Sequence, residues 1–367
     1  MRGALQEYGF DMTQSFGSHE AKVVSELRII DNPQQSEWAS FLDTFVTGNL
    51  QQTFEYGEVA KMSNPRTRVV RLLMVSGNSP VGLVQGRYNR RFGFGDWLEV
   101  GGVYGTGFVL AEVEDKERVF RDLIMTLEKC STKNRVSEAF IYRLEKDSVL
   151  ESMGYSLIEV FNVYKVHLPK TADELWNKLA HNKRRNIKKA REQGVEVIQD
   201  ASYNGLTSFH EMYEISGKRT GFMPHPFGHF HSYLKMFGAS GNVMIFLAVF
   251  NRQPVAGVFV VVHGDTAYAL GAGSREEAWH VRPNDILHWK AMEWACNQGL
   301  SYYHMGHVTE PPPTESSAGW GLWRWKREWN GQLEKKYVYH KIYMPRFKKF
   351  VLTPYEKIYG FMRKAGS

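Results

Sequence analysis

The sequence predicts an α/β protein made of two similar domains, each a mixed sheet with helices on its faces. Its 367 residues, 43% of them hydrophobic, are enough to bury two cores. Residues 69–84 (VVRLLMVSGNSPVGLV) and 243–258 (VMIFLAVFNRQPVAGV) repeat a strand–turn–strand pattern at a constant offset of 174. At this offset Val75 corresponds to Val249, and Pro80 corresponds to Pro254. Because the flanking elements also keep their order, we predict that a whole α/β domain is duplicated.

The elements after each hairpin follow the same order. In the first copy, strand-like residues 100–110 precede a helix around 113–131. In the second copy, strand 266–272 precedes a helix over 285–298. The repeat therefore extends beyond the hairpin.

Between the two copies, the first domain ends on the predicted strand 157–167. A helix then begins at Thr171, because threonine can cap a helix and Glu174 follows three residues later. Pro311, Pro312 and Pro313 make residues 307–319 a structure breaker rather than a linker, and this loop is a candidate lid.

These elements divide the chain. We predict a flexible N-terminus over 1–24, a first domain over 25–165 and a second domain over 166–340. The tail, 341–367, mixes basic and aromatic residues. We expect it to join the first domain; the alternative is peripheral contact with an anionic membrane surface.

Composition limits the classes of function. The net charge of +7 and pI near 9.1 are compatible with phosphate-bearing partners. Two cysteines, Cys130 and Cys296, do not make a disulfide framework or a metal site, which favours a reducing compartment. No apolar run follows Met1 and no 18-residue apolar stretch occurs, so we expect neither a signal peptide nor a transmembrane helix. We therefore expect a cytoplasmic protein.

A strongly basic segment lies at 176–194 (WNKLAHNKRRNIKKAREQG). It carries seven lysines and arginines between Lys178 and Arg191, while its apolar residues share one helical face if the helix breaks near His181 and Asn182. So dense a positive charge repels itself unless an anion is bound. The alternative is an ordinary solvated helix face.

A second segment, 320–329, places Lys326 among tryptophans. Where water is scarce, a fixed cation acts strongly on nearby charge. The alternative is a lysine that extends along apolar surface toward solvent. Together the two segments predict an enzyme that holds a polyanionic substrate and stabilises a developing negative charge.

Several segments resemble one family in order and spacing. They are 184–190 (RRNIKKA), 194–197 (GVEV), 219–222 (RTGF), 254–257 (PVAG), 268–272 (YALGA), 287–295 (LHWKAMEWA) and 321–326 (GLWRWK). With them, the chain resembles the Fem-type aminoacyltransferases (FemA, FemB and FemX-like), peptidoglycan-bridge enzymes built from two GNAT-like domains. The resemblance covers about 175–345 and implies two tandem GNAT-like domains. The long helical arm of some members is absent, since 197–240 is too short for it.

The resemblance implies transfer of an aminoacyl group from aminoacyl-tRNA to an amine of a peptide or anionic cell-wall precursor. A tRNA ester is already activated, so we expect no cofactor and no metal, with the charged tRNA as donor co-substrate. Lys326 is the predicted catalytic residue. The predicted substrate-binding residues are Lys183, Arg184, Arg185, Arg219, Tyr268 and Trp325.

The chain departs from the family pattern at several positions. Trp325 replaces the signature phenylalanine, and His304 stands where an aspartate usually precedes the glycine, here Gly306. A phosphate-binding lysine of some members corresponds to Ala60. These departures concern the acceptor more than the type of reaction.

Three alternatives stay open. An acyl-CoA-dependent N-acyltransferase of the GNAT type needs a loop of backbone N–H groups for the pyrophosphate, and neither 273–277 nor 281–285 supplies one. A non-catalytic RNA-binding protein leaves Lys326 without a role. The histidines in 224–231 (PHPFGHFH) suggest a metal site, but without cysteines or carboxylates beside them we interpret this segment as a surface or substrate-facing loop.

Overall fold

A computed structural model of the protein describes residues 26–44, 49–91, 95–308, 314–316 and 320–343. The predicted flexible N-terminus, the tail beyond 343 and the lid residues 309–313 and 317–319 lie outside these ranges. Within them, no helix is long and apolar enough to cross a membrane.

The described strands form one twisted, mixed sheet. They are β1 (Leu27–Asp31), β2 (Arg68–Ser76), β3 (Ser79–Arg91), β4 (Gly95–Val100), β5 (Phe108–Leu110), β6 (Val136–Arg143), β7 (Ser156–His167), β8 (Glu196–Gln199), β9 (Val243–Phe250), β10 (Gln253–His263), β11 (Thr266–Ser274), β12 (Tyr302–Val308) and β13 (Gln332–Ile342). Their order is β1-β2-β3-β4-β6-β13-β7-β12-β11-β10-β9-β8, with β5 paired to β3. Read from either edge, this order gives the same succession: an edge strand, a hairpin, a third antiparallel strand and a parallel strand.

The sheet confirms the predicted duplication. Each repeated segment forms the hairpin next to an edge strand, β2–β3 in one half and β9–β10 in the other. Val75 pairs with Pro80, and Val249 pairs with Pro254, so the residues related by the offset occupy the same place in their hairpins. Both hairpins also carry a register shift beside this pair.

Helices cover both faces of the sheet. They are α1 (Gln35–Leu42), α2 (Phe54–Ser63), α3 (Lys116–Lys133), α4 (Ser148–Ser152), α5 (Ala172–Lys178), α6 (His181–Glu192), α7 (Tyr203–Thr220), α8 (Phe227–Phe237), α9 (Pro283–Asn297) and α10 (Trp320–Arg327). The segment between β8 and β9 holds two helices of 18 and 11 residues that pack against the sheet, so no long helical arm is present there. The mixed sheet with flanking helices confirms the predicted fold class.

Local signals explain where several helices begin and end. The Thr171 side chain accepts a hydrogen bond from the Glu174 N–H and caps α5, as predicted. The break before α6 falls at Leu179 and Ala180, slightly earlier than predicted. α9 begins with Pro283 directly after Arg282, whose φ of 58° turns the chain into the helix.

Each half buries its own core. In the first half, α3 packs on one sheet face with Leu72, Leu123 and Ile141 fully buried. In the second half, α6 and α9 cover one face, with Ile187 and Leu287 in the core. The opposite face packs against α7 and α8, which form one cluster with residues of α2 from the first half. Apolar packing therefore continues from one half into the other.

The centre of the sheet links the two halves. β13, close to the end of the described chain, pairs with β6 on one side and β7 on the other. β7 pairs in turn with β12. The predicted boundary between residues 165 and 166 lies inside β7, which pairs with β13 on one side and β12 on the other.

Candidate functional site

The sheet opens between β11 and β12. These parallel strands pair only where Thr266–Tyr268 lies beside Tyr302–His304, although β11 continues to Ser274. β12 shifts register against β7 between His304 and His307, and Gly306 has a φ of 73°. We call this opening the β11–β12 gap. The corresponding strands of the first half, β4 and β6, stay paired through Val100 and Ile141.

The Lys326 side chain contacts β12 beyond the residues of β12 that pair with β11. It lies near the end of α10 and is 9% exposed. Its Nζ donates hydrogen bonds to the backbone oxygens of Met305, at 2.9 Å, and His307, at 2.6 Å. These bonds satisfy carbonyls that have no β11 partner. Lys326 thus stands at the β12 side of the gap.

Burial lowers the pKa of Lys326 from 10.5 to about 8. The amine is therefore still protonated at pH 7. An ammonium has three N–H donors, and the two carbonyls engage two of them. One N–H is available, as far as the described residues go, for an oxygen of a bound molecule.

Two nearby histidines have lowered pKa values, and the positive charges of this region contribute to the lowering. Burial, followed by the charges of Lys183 and Lys326, lowers the pKa of His288 to about 3. Burial and Lys326 lower the pKa of His307 to about 4. Both imidazoles are neutral at pH 7, and His288 Nδ1 lies 3.0 Å from the Tyr303 hydroxyl. The charges of Lys183 and Lys326, which add to the effect of burial, act in favour of a negative charge on a neighbouring group.

Lys183 occupies a different place from the one predicted. Its side chain is fully buried, and Nζ donates to Asp285 Oδ1 at 2.6 Å and lies 3.3 Å from Glu328 Oε2. The predicted position on the exposed basic face is therefore wrong. The physical reason is the pairing: the carboxylate of Asp285, from a distant part of the chain, offsets the cost of burying this ammonium.

Trp325 and Trp329 enclose Lys183, not Lys326. The Lys183 ammonium lies 4.8 Å and 4.6 Å from the centroids of these two rings. Trp325 Nε1 donates to Asp285 Oδ1 at 2.8 Å, so the same carboxylate binds both side chains. We expected the tryptophans to surround Lys326 directly, but Trp325 and Trp329 surround Lys183 instead. Their contribution is to hold α10, and with it Lys326, against α6 and α9.

The remaining basic residues of α6 do face solvent. Arg185, Lys188 and Lys189 are exposed, and Arg184 is half-buried with Nη1 3.4 Å from the Asn177 oxygen. They lie opposite the buried Ile187 face, as the sequence pattern predicted. The exposed residues form what we call the α6 basic face.

Arg219 lies at the far end of β11. Its Nη1 donates to the Ser274 oxygen at 2.9 Å, Nη2 donates to Ser216 Oγ at 3.1 Å, and the guanidinium stacks over Trp279 at 4.6 Å. The Ser274 N–H also donates to Ser216 Oγ. This network fixes the start of the connection from β11 to α9.

Tyr268 lies at the edge of the gap, in the last residue pair that joins β11 to β12, and is buried on the face opposite α9. Tyr104, a residue of the first half that the sequence analysis did not single out, reaches the same place. Its ring lies 5.6 Å from the Tyr268 ring and 5.1 Å from the His304 ring, and its hydroxyl is 3.3 Å from the Ala269 oxygen. The glycine-rich stretch 101–107 was the available signal, because glycines let a loop approach another backbone closely.

The segment 224–231 was expected to be a loop, but His229 and His231 lie within α8. The His225 and His229 rings stack at 4.3 Å. Burial, then His225 and Arg87, lowers the pKa of His229 to about 3, so the imidazole is neutral at pH 7. Aromatic residues at helical spacing within 227–237 explain why a helix forms there.

Comparisons with known proteins agree with this architecture. Residues 177–327 match the family model described as an acetyltransferase (GNAT) domain. The chain is 20% identical over 230 residues to a lipid II:glycine glycyltransferase of Staphylococcus epidermidis, and 18% identical over 233 residues to one of Staphylococcus haemolyticus. Each alignment covers 46% of this chain and 55% of the relative, so the chain spans about half the length of the curated relatives it matches.

The fold extends the similarity to nearly the whole chain. A crystal structure of FemX superposes with a TM-score of 0.73 at 15% identity, covering 88% of this chain and 99% of FemX. A tandem GNAT protein from the clavulanic acid biosynthesis pathway gives a TM-score of 0.57 at 11% identity, over 86% and 98% of the two chains. The comparisons confirm the predicted resemblance to Fem-type proteins with the GNAT fold.

Proposed function

We propose that this protein is an aminoacyltransferase that moves an amino acid from aminoacyl-tRNA to an amine of a peptide-bearing cell-wall precursor. The observation that carries the proposal is the buried ammonium of Lys326 at the β11–β12 gap, fixed by two backbone carbonyls with one N–H available. A fixed cation of this kind stabilises an oxyanion, which is the charge that acyl transfer creates.

The proposed reaction needs little more than positioning and charge. The acceptor amine attacks the ester carbonyl, a C–N bond forms, and the carbonyl oxygen becomes an oxyanion beside Lys326. The C–O bond to the tRNA ribose then breaks, and the ribose oxygen leaves as a hydroxyl with a proton that the amine has lost. An ester of this kind is already activated, so no enzyme nucleophile enters the scheme.

Water exclusion strengthens the effect of Lys326. Its side chain is 9% exposed, and the buried Trp329 and the half-buried Trp325 pack beside His288 in the adjacent core. Coulomb interactions grow as the local dielectric falls, so a buried cation lowers the energy of an oxyanion more than an exposed one does.

The α6 basic face is the proposed contact for phosphates of the tRNA or of an anionic acceptor. The relatives named lipid II:glycine glycyltransferase support a lipid II-type acceptor. We place the reaction in the cytoplasm, where charged tRNA is available. No cofactor is required by this scheme.

The end of β11 favours this donor over acyl-CoA. Pyrophosphate binding needs free backbone N–H groups at the start of a helix. Here the Ser274 N–H donates to Ser216 Oγ, and the Arg275 N–H donates to the Val255 oxygen. Glu276 and Glu277 follow, and their charges would oppose a pyrophosphate.

Donor consumption tests the proposal. The purified protein is incubated with charged total tRNA or with acetyl-CoA, each with peptide-bearing cell-wall precursors as amine acceptors. We expect loss of the aminoacyl ester and appearance of an amide on the precursor, only when the acceptor is present. Consumption of acetyl-CoA with charged tRNA untouched contradicts the proposal, and a charged-tRNA mixture without protein is the control for spontaneous hydrolysis.

A further inference from the structure

His304 places an unpaired polar atom inside the β11–β12 gap. The side chain is 2% exposed, and it belongs to the last residue pair that joins β11 to β12. Among the described residues, none bonds to its Nε2 atom. A buried donor or acceptor without a partner destabilises a fold, so an atom of this kind at a candidate site points to a ligand.

The hydrogen bond on the other ring nitrogen fixes the tautomer. The Gly306 N–H donates to His304 Nδ1 at 3.0 Å. Nδ1 must therefore carry a lone pair, and in a neutral imidazole the hydrogen is then on Nε2. The positive φ of Gly306, 73°, turns its N–H back toward the ring. The unpaired atom is consequently an N–H donor.

The surroundings keep this imidazole neutral. Burial, followed by the charges of Lys336, Lys165 and Lys326, holds the pKa of His304 well below its ordinary value. The Tyr268 ring stacks on it at 5.6 Å, and the Tyr104 ring meets it edge-on at 5.1 Å. A neutral ring held by two aromatic side chains donates a hydrogen bond without titrating near pH 7.

Met305, which follows His304 in β12, contacts Lys326. The Met305 oxygen accepts a hydrogen bond from Lys326 Nζ, and the Lys326 charge acts on the His304 ring. One donor, cationic, thus contacts the residue of β12 that directly follows the other, neutral donor.

We propose that the Nε2–H of His304 donates a hydrogen bond to the carbonyl oxygen of the acyl group held in the β11–β12 gap, beside Lys326. This inference rests on the proposed function, since it assigns a second donor to the same acyl transfer. The role excludes general-base catalysis by His304, because the bond from Gly306 occupies the lone pair of Nδ1 and Nε2 carries a hydrogen.

Three variants separate this role from a structural one. His304→Gln keeps an N–H near the position of Nε2, whereas His304→Asn keeps an acceptor near Nδ1 for the Gly306 N–H but has no donor at Nε2. His304→Phe keeps only the ring. We expect Asn and Phe to lower kcat by roughly 10- to 100-fold with little change in KM, and Gln to keep most of kcat. Wild-type rates for Asn, or a loss for Gln with activity kept in Asn, would overturn the inference.

Nitrogen NMR of the intact protein supplies a readout that does not depend on turnover. We expect the histidine signal that is missing from His304→Gln to show hydrogen on Nε2 and none on Nδ1, unchanged from pH 5.5 to 8.5. Hydrogen on Nδ1 overturns the inference whatever the enzyme transfers. An aminoacyl adenosine with an amide in place of the ester should shift the Nε2 signal when it binds. Calorimetry measures separately the concentration at which the protein is saturated. No shift of the Nε2 signal at saturation also overturns the inference.

The proposed function can fail independently. If the wild-type protein consumes acetyl-CoA and not charged tRNA, the donor assignment is wrong, and the same three variants are measured with acetyl-CoA. Because a thioester also presents a carbonyl oxygen, the order Gln above Asn and Phe still supports the role of His304, and any other order overturns it.

Discussion

The burial of Lys326 has two chemical consequences, a stronger field and a lowered pKa. Met305 and His307 hold the amine in place through their backbone oxygens, so its orientation is set before a substrate arrives. Preorganised charge of this kind contributes mainly in the transition state. Both consequences can be measured on single residues.

Replacing Lys326 with methionine should lower turnover by roughly 100- to 1,000-fold, or about 3–4 kcal/mol, by analogy with removal of one oxyanion donor. Acceptor affinity should change little, because the cation acts on charge that appears only in the transition state. Steady-state kinetics with saturating acceptor measure this. Arg324→Ala is the matched control: it lies on the same helix, two residues away and exposed, and should keep most activity. A folded Lys326→Met enzyme with near wild-type turnover refutes the assignment.

The pKa of Lys326, about 8, predicts a falling alkaline limb in the rate profile. The protonated amine is the active form, so it is fully present below pH 7 and lost as pH rises through 8. Above that value, kcat should fall by about tenfold per pH unit. The acceptor amine has the opposite dependence, since it must lose its proton to attack. A kcat that continues to rise to pH 10 would show that charge on Lys326 is not needed.

Helix α6 has two basic faces with different roles. Lys183 on the inner face joins α6 to α9 through Asp285 and approaches Glu328, which directly follows α10. Arg185, Lys188 and Lys189 on the outer face are exposed. A single stretch of basic residues therefore contains both a buried ion pair that holds α6 to α9 and a candidate phosphate-binding surface.

Replacing Lys183 with methionine should destabilise the protein by about 3–5 kcal/mol, because Asp285 would stay buried without its cation. Urea denaturation measures the loss. Lys188→Met on the exposed side of the same helix is the control and should change stability by no more than about 0.5 kcal/mol. Equal stabilities of the two variants would mean that the Lys183–Asp285 pair adds nothing to the fold.

Replacing Arg185, Lys188 and Lys189 with alanine should weaken tRNA or anionic-acceptor binding without unfolding α6. Each neutralised phosphate adds about −0.7 to −0.9 to the slope of log affinity against log salt. The triple variant should therefore flatten that slope by up to about 2–3. Binding measured across a salt series tests this, with Lys235→Ala on α8 as the control. Unchanged affinity and slope would identify the α6 basic face as ordinary solvated surface.

The sequence was a good guide to elements whose signals are local. The hairpins, the cap at Thr171 and the apolar stripe of α6 follow from alternation, capping chemistry and helical period. Lys183 was misplaced because its partner Asp285 lies far along the chain, and no local pattern reports that contact. Tyr104 was missed for the same reason, since its neighbours Tyr268 and His304 come from the other half. His304 was noticed only as a departure from a family pattern, not as a donor.

Across the whole molecule, similar halves share one sheet but differ in how far their parallel strands pair. β4 and β6 stay paired, whereas β11 and β12 separate after three residue pairs, so the gap belongs to the second half. The first half contributes Tyr104 to it. Duplication thus gave two frameworks, of which one carries the gap and the other supplies part of its lining.

The central position of β13 predicts a single unfolding transition. β13 pairs with β6 and with β7, and residues of α2 pack in one cluster with those of α8, so neither half has an independent boundary. Tryptophan fluorescence and far-ultraviolet circular dichroism should give coincident urea curves. Two separated transitions would show that the halves are autonomous domains joined only by contact.

The position of β13 in the sheet also determines when the centre of the sheet can be completed during synthesis. β6 ends at Arg143, but the strand that lies beside it begins only at Gln332. At 5–20 residues per second, a ribosome takes roughly 10–40 s to cover that interval. During this time the inner edge of β6 exposes N–H and C=O groups that would pair with any extended chain. We therefore expect this edge to be covered by a chaperone, or by temporary pairing within the nascent chain, until β13 emerges.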